Sequence, residues 1–219
     1  MEGRSALMKW QESGLTNPLE SRTELFEAAL DAFSALSFGE TSLNEIIKKA
    51  GMNKGSFYYW FHDKMDLYLS LLHYMGMEKL EVFRQQDAAV TSGEFFDSFR
   101  AKALLGLRFA QKEPRYNSLW RKVMVEDASV RHTIRECFGD ITQNVLTGMI
   151  DKAKAAGEIK TDISTQMAAS VFSTLLEQID LMISPDMNDQ DILARVDELI
   201  GVMKFGMAAP AISVQKDKK

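Results

Sequence analysis

Apolar residues recur at helical spacing along almost the whole chain, and most of these runs open on a capping residue and close on a glycine or proline. Ser21 and Glu24 have the spacing of a capping box, followed by Leu25, Ala28, Ala29, Ala32, Phe33 and Leu36. Thr41 or Ser42 opens a second helix with Leu43, Ile46, Ile47 and Ala50 inward, and Gly51 suits its left-handed end. Asn53 caps a short third helix, Lys54 to Phe61, and Asp63 a long fourth helix from Lys64 through Leu67, Leu71, Leu72, Met75 and Leu80. Thr91-Ser92-Gly93-Glu94 starts another helix, Pro114 interrupts it, and Tyr116 to Val125 and 129–156 follow, with Gly157 as a stop. A wide apolar face over 162–183 ends at Pro185, and Ile192, Val196, Leu199, Ile200 and Met203 form a last stripe. With no strand alternation and no repeat, the expected fold is all-α, with about nine helices. Residues 1–20, broken by Gly3, Gly14 and Pro18, read as a flexible arm, 21–66 as an N-terminal helix-turn-helix domain of three helices, 67–208 as a second helical domain, and 209–219 as a frayed tail.

Composition limits what such a chain does. Of 219 residues, 46% are hydrophobic and 26% charged, a balance that supports a packed core rather than disorder. The net charge of −5 excludes a protein that coats nucleic acid nonspecifically, so any DNA contact has to come from a local basic patch. Cys137 is the single cysteine, no intrachain disulfide is possible, and the expected compartment is the reducing cytoplasm. The first twenty residues lack a signal-peptide core, and no apolar stretch is long enough to span a bilayer, so no membrane association is expected. Phosphate-loop, dinucleotide-binding, zinc-protease and nucleophile-elbow patterns are all missing, and His62, His73 and His132 lie far apart. His132 and Glu136 share a helix face, but two ligands do not hold a metal. No catalytic residue, metal or cofactor is expected.

The segment 41–64 carries the functional signal. Two short helices joined at Gly51-Met52 have the form of a helix-turn-helix, whose second helix enters the major groove by its N-terminal end. That end needs small or hydrogen-bonding residues for base edges, and basic or polar-tipped aromatic groups beside them for phosphates. Lys54, Gly55 and Ser56 meet the first need and Tyr58, Tyr59 and Trp60 the second, while Phe57 and Phe61, four residues apart, belong in the core. At the start of the fourth helix, the Lys64 ammonium and the helix N-terminus both favour a phosphate.

These residues resemble the N-terminal pattern of the TetR family: Ala28-Ala29 with Phe33, Thr41-Ser42, Ala50-Gly51, Lys54-Gly55, Tyr58, Trp60-Phe61, and Lys64 through Leu67. The resemblance covers about residues 21 to 70 and departs at Ser37, where the family usually has Gly, and at Ile47, where it usually has a small residue. It implies a homodimer that sets two recognition helices on a near-palindromic double-stranded DNA operator and acts as a repressor released by a small-molecule effector. It implies phosphate contacts by Thr41 or Ser42, Tyr58, Trp60 and Lys64, base contacts by Lys54, Ser56 and Tyr59 with Gly55 allowing close approach, and a backbone contact by Arg22. The apolar faces of the last two helices offer a four-helix interface through Val171, Leu175, Ile179, Met182, Val196, Leu199, Ile200 and Met203. Candidate walls of a ligand pocket are Phe99, Phe109, Trp120, Met124, Phe138, Met149 and Phe172. The thirteen Met and thirteen Phe suit an apolar or aromatic effector. The same residues also fit a DNA-binding protein of this fold that has no effector.

Overall fold

A computed structural model describes residues 8–87, 95–139, 141–182 and 187–207. The chain is all-helical there, with eleven α-helices and one 3-10 turn among the described residues. In order they are α1 (Lys9–Glu12), the turn Pro18–Ser21, α2 (Thr23–Ala35), α3 (Leu43–Lys49), α4 (Lys54–Trp60) and α5 (Lys64–Asp87). Then come α6 (Phe95–Lys112), α7 (Pro114–Val125), α8 (Ala128–Phe138), α9 (Ile141–Ala155), α10 (Thr165–Met182) and α11 (Asp189–Met207).

The count exceeds nine for two reasons. The expected helix over 129–156 divides into α8 and α9 at Gly139, whose positive φ of 63° is not helical. Part of the expected arm is folded: Met8, Trp10 and Leu19 are buried, the Trp10 indole N–H donates to Ser70 Oγ at 2.9 Å, and Asn17 Nδ2 donates to the Ser70 carbonyl at 2.7 Å. The capping box expected at Ser21 does not form. Ser21 ends the 3-10 turn, which Asn17 caps, and α2 starts one residue later with Arg22 at its N-cap and no side-chain cap. The start signal at 91–94, the stop at Pro185, residues 1–7 of the arm and the tail 209–219 lie outside the described residues.

The other local signals act as their chemistry requires. Ser42 Oγ accepts the Glu45 amide, Asn53 Oδ1 accepts the Ser56 amide at 2.8 Å, and Asp63 Oδ1 accepts the Asp66 amide at 2.9 Å. Gly51 follows α3 with φ +62°, and the Met52 amide returns to the Ile47 carbonyl at 3.0 Å, closing the helix end.

The contacts divide into two compact units. The first contains residues 1–85 and 108–139, the second 86–107 and 140–219. The first is wider than the three-helix domain because α7 packs along α2. Arg115, at the start of α7, donates to Glu27 and Asp31 of α2 at 2.7 and 2.6 Å and to Glu113 at 2.7 Å, and Lys49 of α3 joins Asp31 at 2.6 Å. Leu25, Leu30, Phe33, Ile46, Phe57, Phe61, Leu67, Tyr68 and Leu119 fill its core. In the second unit Phe95, Phe96, Phe99 and Phe172 centre the core, with Phe99 and Phe172 rings 4.6 Å apart.

Two glycines test the reading of the turn. A Cβ at either Gly51 or Gly76 meets no atom within 4 Å, so only backbone conformation separates them. Gly51→Ala is expected to destabilise by about 1–2 kcal/mol through its left-handed φ. Gly76→Ala, inside α5, is expected to stabilise by about 0.4–1 kcal/mol. Urea unfolding of the two variants checks the opposite signs.

Candidate nucleic-acid interface

Helix α4 is two turns long, and its orientation follows from which residues it buries. Phe57 is 0% exposed and Phe61 equally buried, with rings stacked 5.2 Å apart inside the first unit. The adjacent Tyr58 and Tyr59 are 49% and 68% exposed. Lys54, Gly55 and Ser56 are exposed as well, at the N-terminal end of the helix. Lys54, Gly55, Ser56, Tyr58 and Tyr59 are thus all open to solvent, and the two Phe anchor the segment that carries them.

Trp60 is half-buried, edge-on to Tyr59, and the Arg22 guanidinium lies 3.8 Å from the centre of its ring. Arg22 Nη1 also donates to Ser21 Oγ at 2.8 Å and to the Pro18 carbonyl at 3.1 Å. A guanidinium held this way stands beside the recognition helix with few rotamers left to lose on meeting a phosphate.

The structure corrects the expectation for Thr41. Its side chain is buried, 3% exposed, and its hydroxyl donates to the Ser37 carbonyl at 2.8 Å, so it is turned away from any ligand. Ser42 is the exposed residue of the pair. Lys64 has an internal task as well: its Nζ donates to the Phe38 and Thr41 carbonyls at 2.6 and 2.8 Å and lies 4.4 Å from the Phe38 ring centre. Two of its three N–H bonds are therefore spent, which leaves one for a phosphate. Burial pulls the Lys64 ammonium below its ordinary pKa, and the negative charge of Glu126 opposes that pull. Glu126, at the end of α7, is 6% exposed and accepts the Phe38 amide on Oε1 at 2.7 Å. Glu126, Arg115 and the Lys64 contacts had no signal in the sequence, because their partners are backbone groups or side chains far along the chain.

The candidate pocket residues do not form one wall within either unit. Phe99, Met149 and Phe172 belong to the core of the second unit. Phe109 lies against Tyr116 in the first, Phe138 packs near Trp10 and Leu69 there, and Trp120 and Met124 are exposed on α7. Within the expected dimer set, Val196, Ile200 and Met203 are buried in the second unit's own core, which corrects the assignment of these three to an interface. Val171, Leu175 and Leu199 are half-buried, and the side chains of Ile179 and Met182 lie outside the described residues. Among the described residues, the exposed large apolar side chains of these two helices are Met167, Val202 and Phe205, the last 90% exposed. His132 and Glu136 pair at 3.2 Å on the exposed face of α8.

Glu126→Ala leaves the Phe38 amide without its acceptor and is expected to cost about 1–3 kcal/mol in urea unfolding. Glu126→Gln keeps an acceptor oxygen and is expected to cost less. Equal stability of Glu126→Ala and the parent chain would contradict the arrangement.

Residues 25–71 match the sequence model of the family described as bacterial regulatory proteins, tetR family. Over 168 residues the chain is 24% identical to the probable acrEF/envCD operon repressor of Escherichia coli, covering 73% of this chain and 76% of that one. A TetR family transcriptional regulator from Chloroflexus aurantiacus has a similar structure, with a TM-score of 0.71 at 23% identity over 91% of this chain and 98% of that one. The transcriptional regulator FadR of Bacillus subtilis, solved in complex with stearoyl-CoA, gives a TM-score of 0.68 at 18% identity, covering 84% of this chain and 98% of its own. No helix among the described residues is long and apolar enough to cross a membrane. The helix-turn-helix lies inside the segment that matches the tetR family of bacterial regulatory proteins, and the all-helical fold around it is similar to those of TetR family transcriptional regulators.

Proposed function

We propose that the chain is a homodimeric, cytoplasmic repressor that binds a near-palindromic operator and leaves it when a small apolar or aromatic effector binds. The observation that carries the DNA reading is the division of the segment 54–61 into a buried pair, Phe57 and Phe61, and the exposed residues Lys54, Gly55, Ser56, Tyr58 and Tyr59. Lys54, Ser56 and Tyr59 stand nearest the bases, with Gly55 admitting the duplex closely. Ser42, Tyr58, Trp60, Arg22 and the free N–H of Lys64 hold phosphates. Residues 21–66 serve as the DNA-binding domain and 67–208 as the regulatory and dimerisation domain. The exposed Met167, Val202 and Phe205 supply apolar surface for a second copy on α10 and α11.

The effector part of the proposal rests on composition and likeness. Thirteen Met and thirteen Phe provide adaptable apolar surface, including Phe99, Met149 and Phe172 of the second unit, and the similar FadR was solved with an acyl thioester. The role is regulatory rather than catalytic.

Duplexes selected by the chain from a random pool provide the probe. The parent protein is expected to bind them tightly, above a competitor duplex, with affinity that falls as salt rises. Tyr59→Ala or Lys54→Ala is expected to cost about 1–3 kcal/mol and to relax the preference at one base position. Weak binding that is equal for selected and competitor duplexes would overturn the assignment.

A further inference from the structure

We propose that residues 8–17 form a positioning strap that fixes the recognition helix α4 against α5 and α8. The proposal rests on the DNA-reading role given to α4 above, and it concerns residues outside the segment that matches the family, which begins at 25.

The strap touches the reading head at three points. Lys9 Nζ donates to the carbonyl of Tyr58, in the last turn of α4, where backbone acceptors lack intrahelical partners and a cation is favoured. The Lys9 amide donates to both carboxylate oxygens of Asp66 at 3.4 and 3.3 Å, and the same carboxylate accepts the His62 amide at 2.8 Å. Glu12 Oε2 lies 3.1 Å from His62 Nε2. Asp66 is buried and so joins the strap to the link between α4 and α5 at a site shielded from water.

The strap is also anchored in the body of the first unit. The Trp10 indole and the Asn17 amide both bond Ser70 of α5. Met8 and Trp10 pack with Leu69 of α5 and with Ile134, Cys137 and Phe138 of α8. A helix of two turns does not hold its orientation alone. Phe57 and Phe61 hold α4 from inside, and Lys9 holds its C-terminal carbonyl from outside. Any shift of α8 against α5 moves Met8 and Trp10, and through Lys9, one residue from each, it reaches Tyr58.

The test uses the full chain with Lys9→Met, which keeps the stem and loses the donor, and Trp10→Phe, which keeps an apolar ring and loses the indole N–H. Amide exchange of the DNA-free protein is read at 58–62 and, as an internal control, in α2. Both variants are expected to speed exchange at 58–62 by about tenfold, with α2 unchanged. Both are also expected to weaken binding to the selected duplex by about fivefold, with the slope of affinity against salt unaltered. A slope lowered by about 0.9 in Lys9→Met would make Lys9 a phosphate ligand and overturn the positioning role. Unchanged exchange at 58–62, or an equal rise in α2, would also overturn it. Should the parent chain bind no duplex selectively, the DNA reading fails on its own, and the exchange result still decides the strap.

Discussion

The stacking of Phe57 and Phe61 into the first unit is the interaction on which the function of this chain depends. Successive residues of an α-helix turn by about 100°, so two inward residues four apart leave the positions two before the first and two after it pointing outward. Those positions are Gly55 and Tyr59. The hydrophobic anchor therefore also aims the surface: burying Phe57 and the C-cap Phe61 turns Gly55, Ser56 and Tyr59 outward, while Lys54 is exposed at the helix start and Tyr58 on its flank.

Polar groups then hold the surroundings of that helix in place. Lys64 and Glu126 take the carbonyl and the amide of Phe38 respectively, pinning the segment ahead of α3 from two sides. Arg115 ties α7 to α2 through Glu27 and Asp31, and Lys49 extends the chain of charges to α3. Hydrogen bonds from Lys49 and then Arg115 hold the Asp31 carboxyl below its ordinary pKa, as Arg115 does for Glu113. With a net charge of −5, the chain relies on a few placed cations rather than on an overall field.

What was legible in the sequence was mostly local. Ser42, Gly51, Asn53 and Asp63 mark the boundaries they were expected to mark, because a cap or a left-handed turn depends on residues three or four away. Ser21 shows the limit of that logic: Asn17, buried against α5, claims the preceding turn and displaces the capping box. Thr41 and Lys64 looked free because a sequence does not reveal the carbonyls they bond. The stripe from Ile192 to Met203 was visible as apolar, but periodicity does not say whether a face meets its own chain or another, and here it is the inner face of α11. Trp10 lay in a stretch broken by glycine and proline, and only its fit between α5 and α8 reveals that the stretch is ordered.

The central claim is that the outer face of α4 meets base pairs in the major groove. A DNA-cleaving iron chelate attached at Tyr59→Cys, in a chain carrying Cys137→Ser so that the label has one thiol, maps that face directly onto the selected duplex. Cuts are expected in two clusters about 10 base pairs apart, one from each recognition helix. Cuts spread evenly along the duplex, or none at all from a chain that still binds, would contradict it.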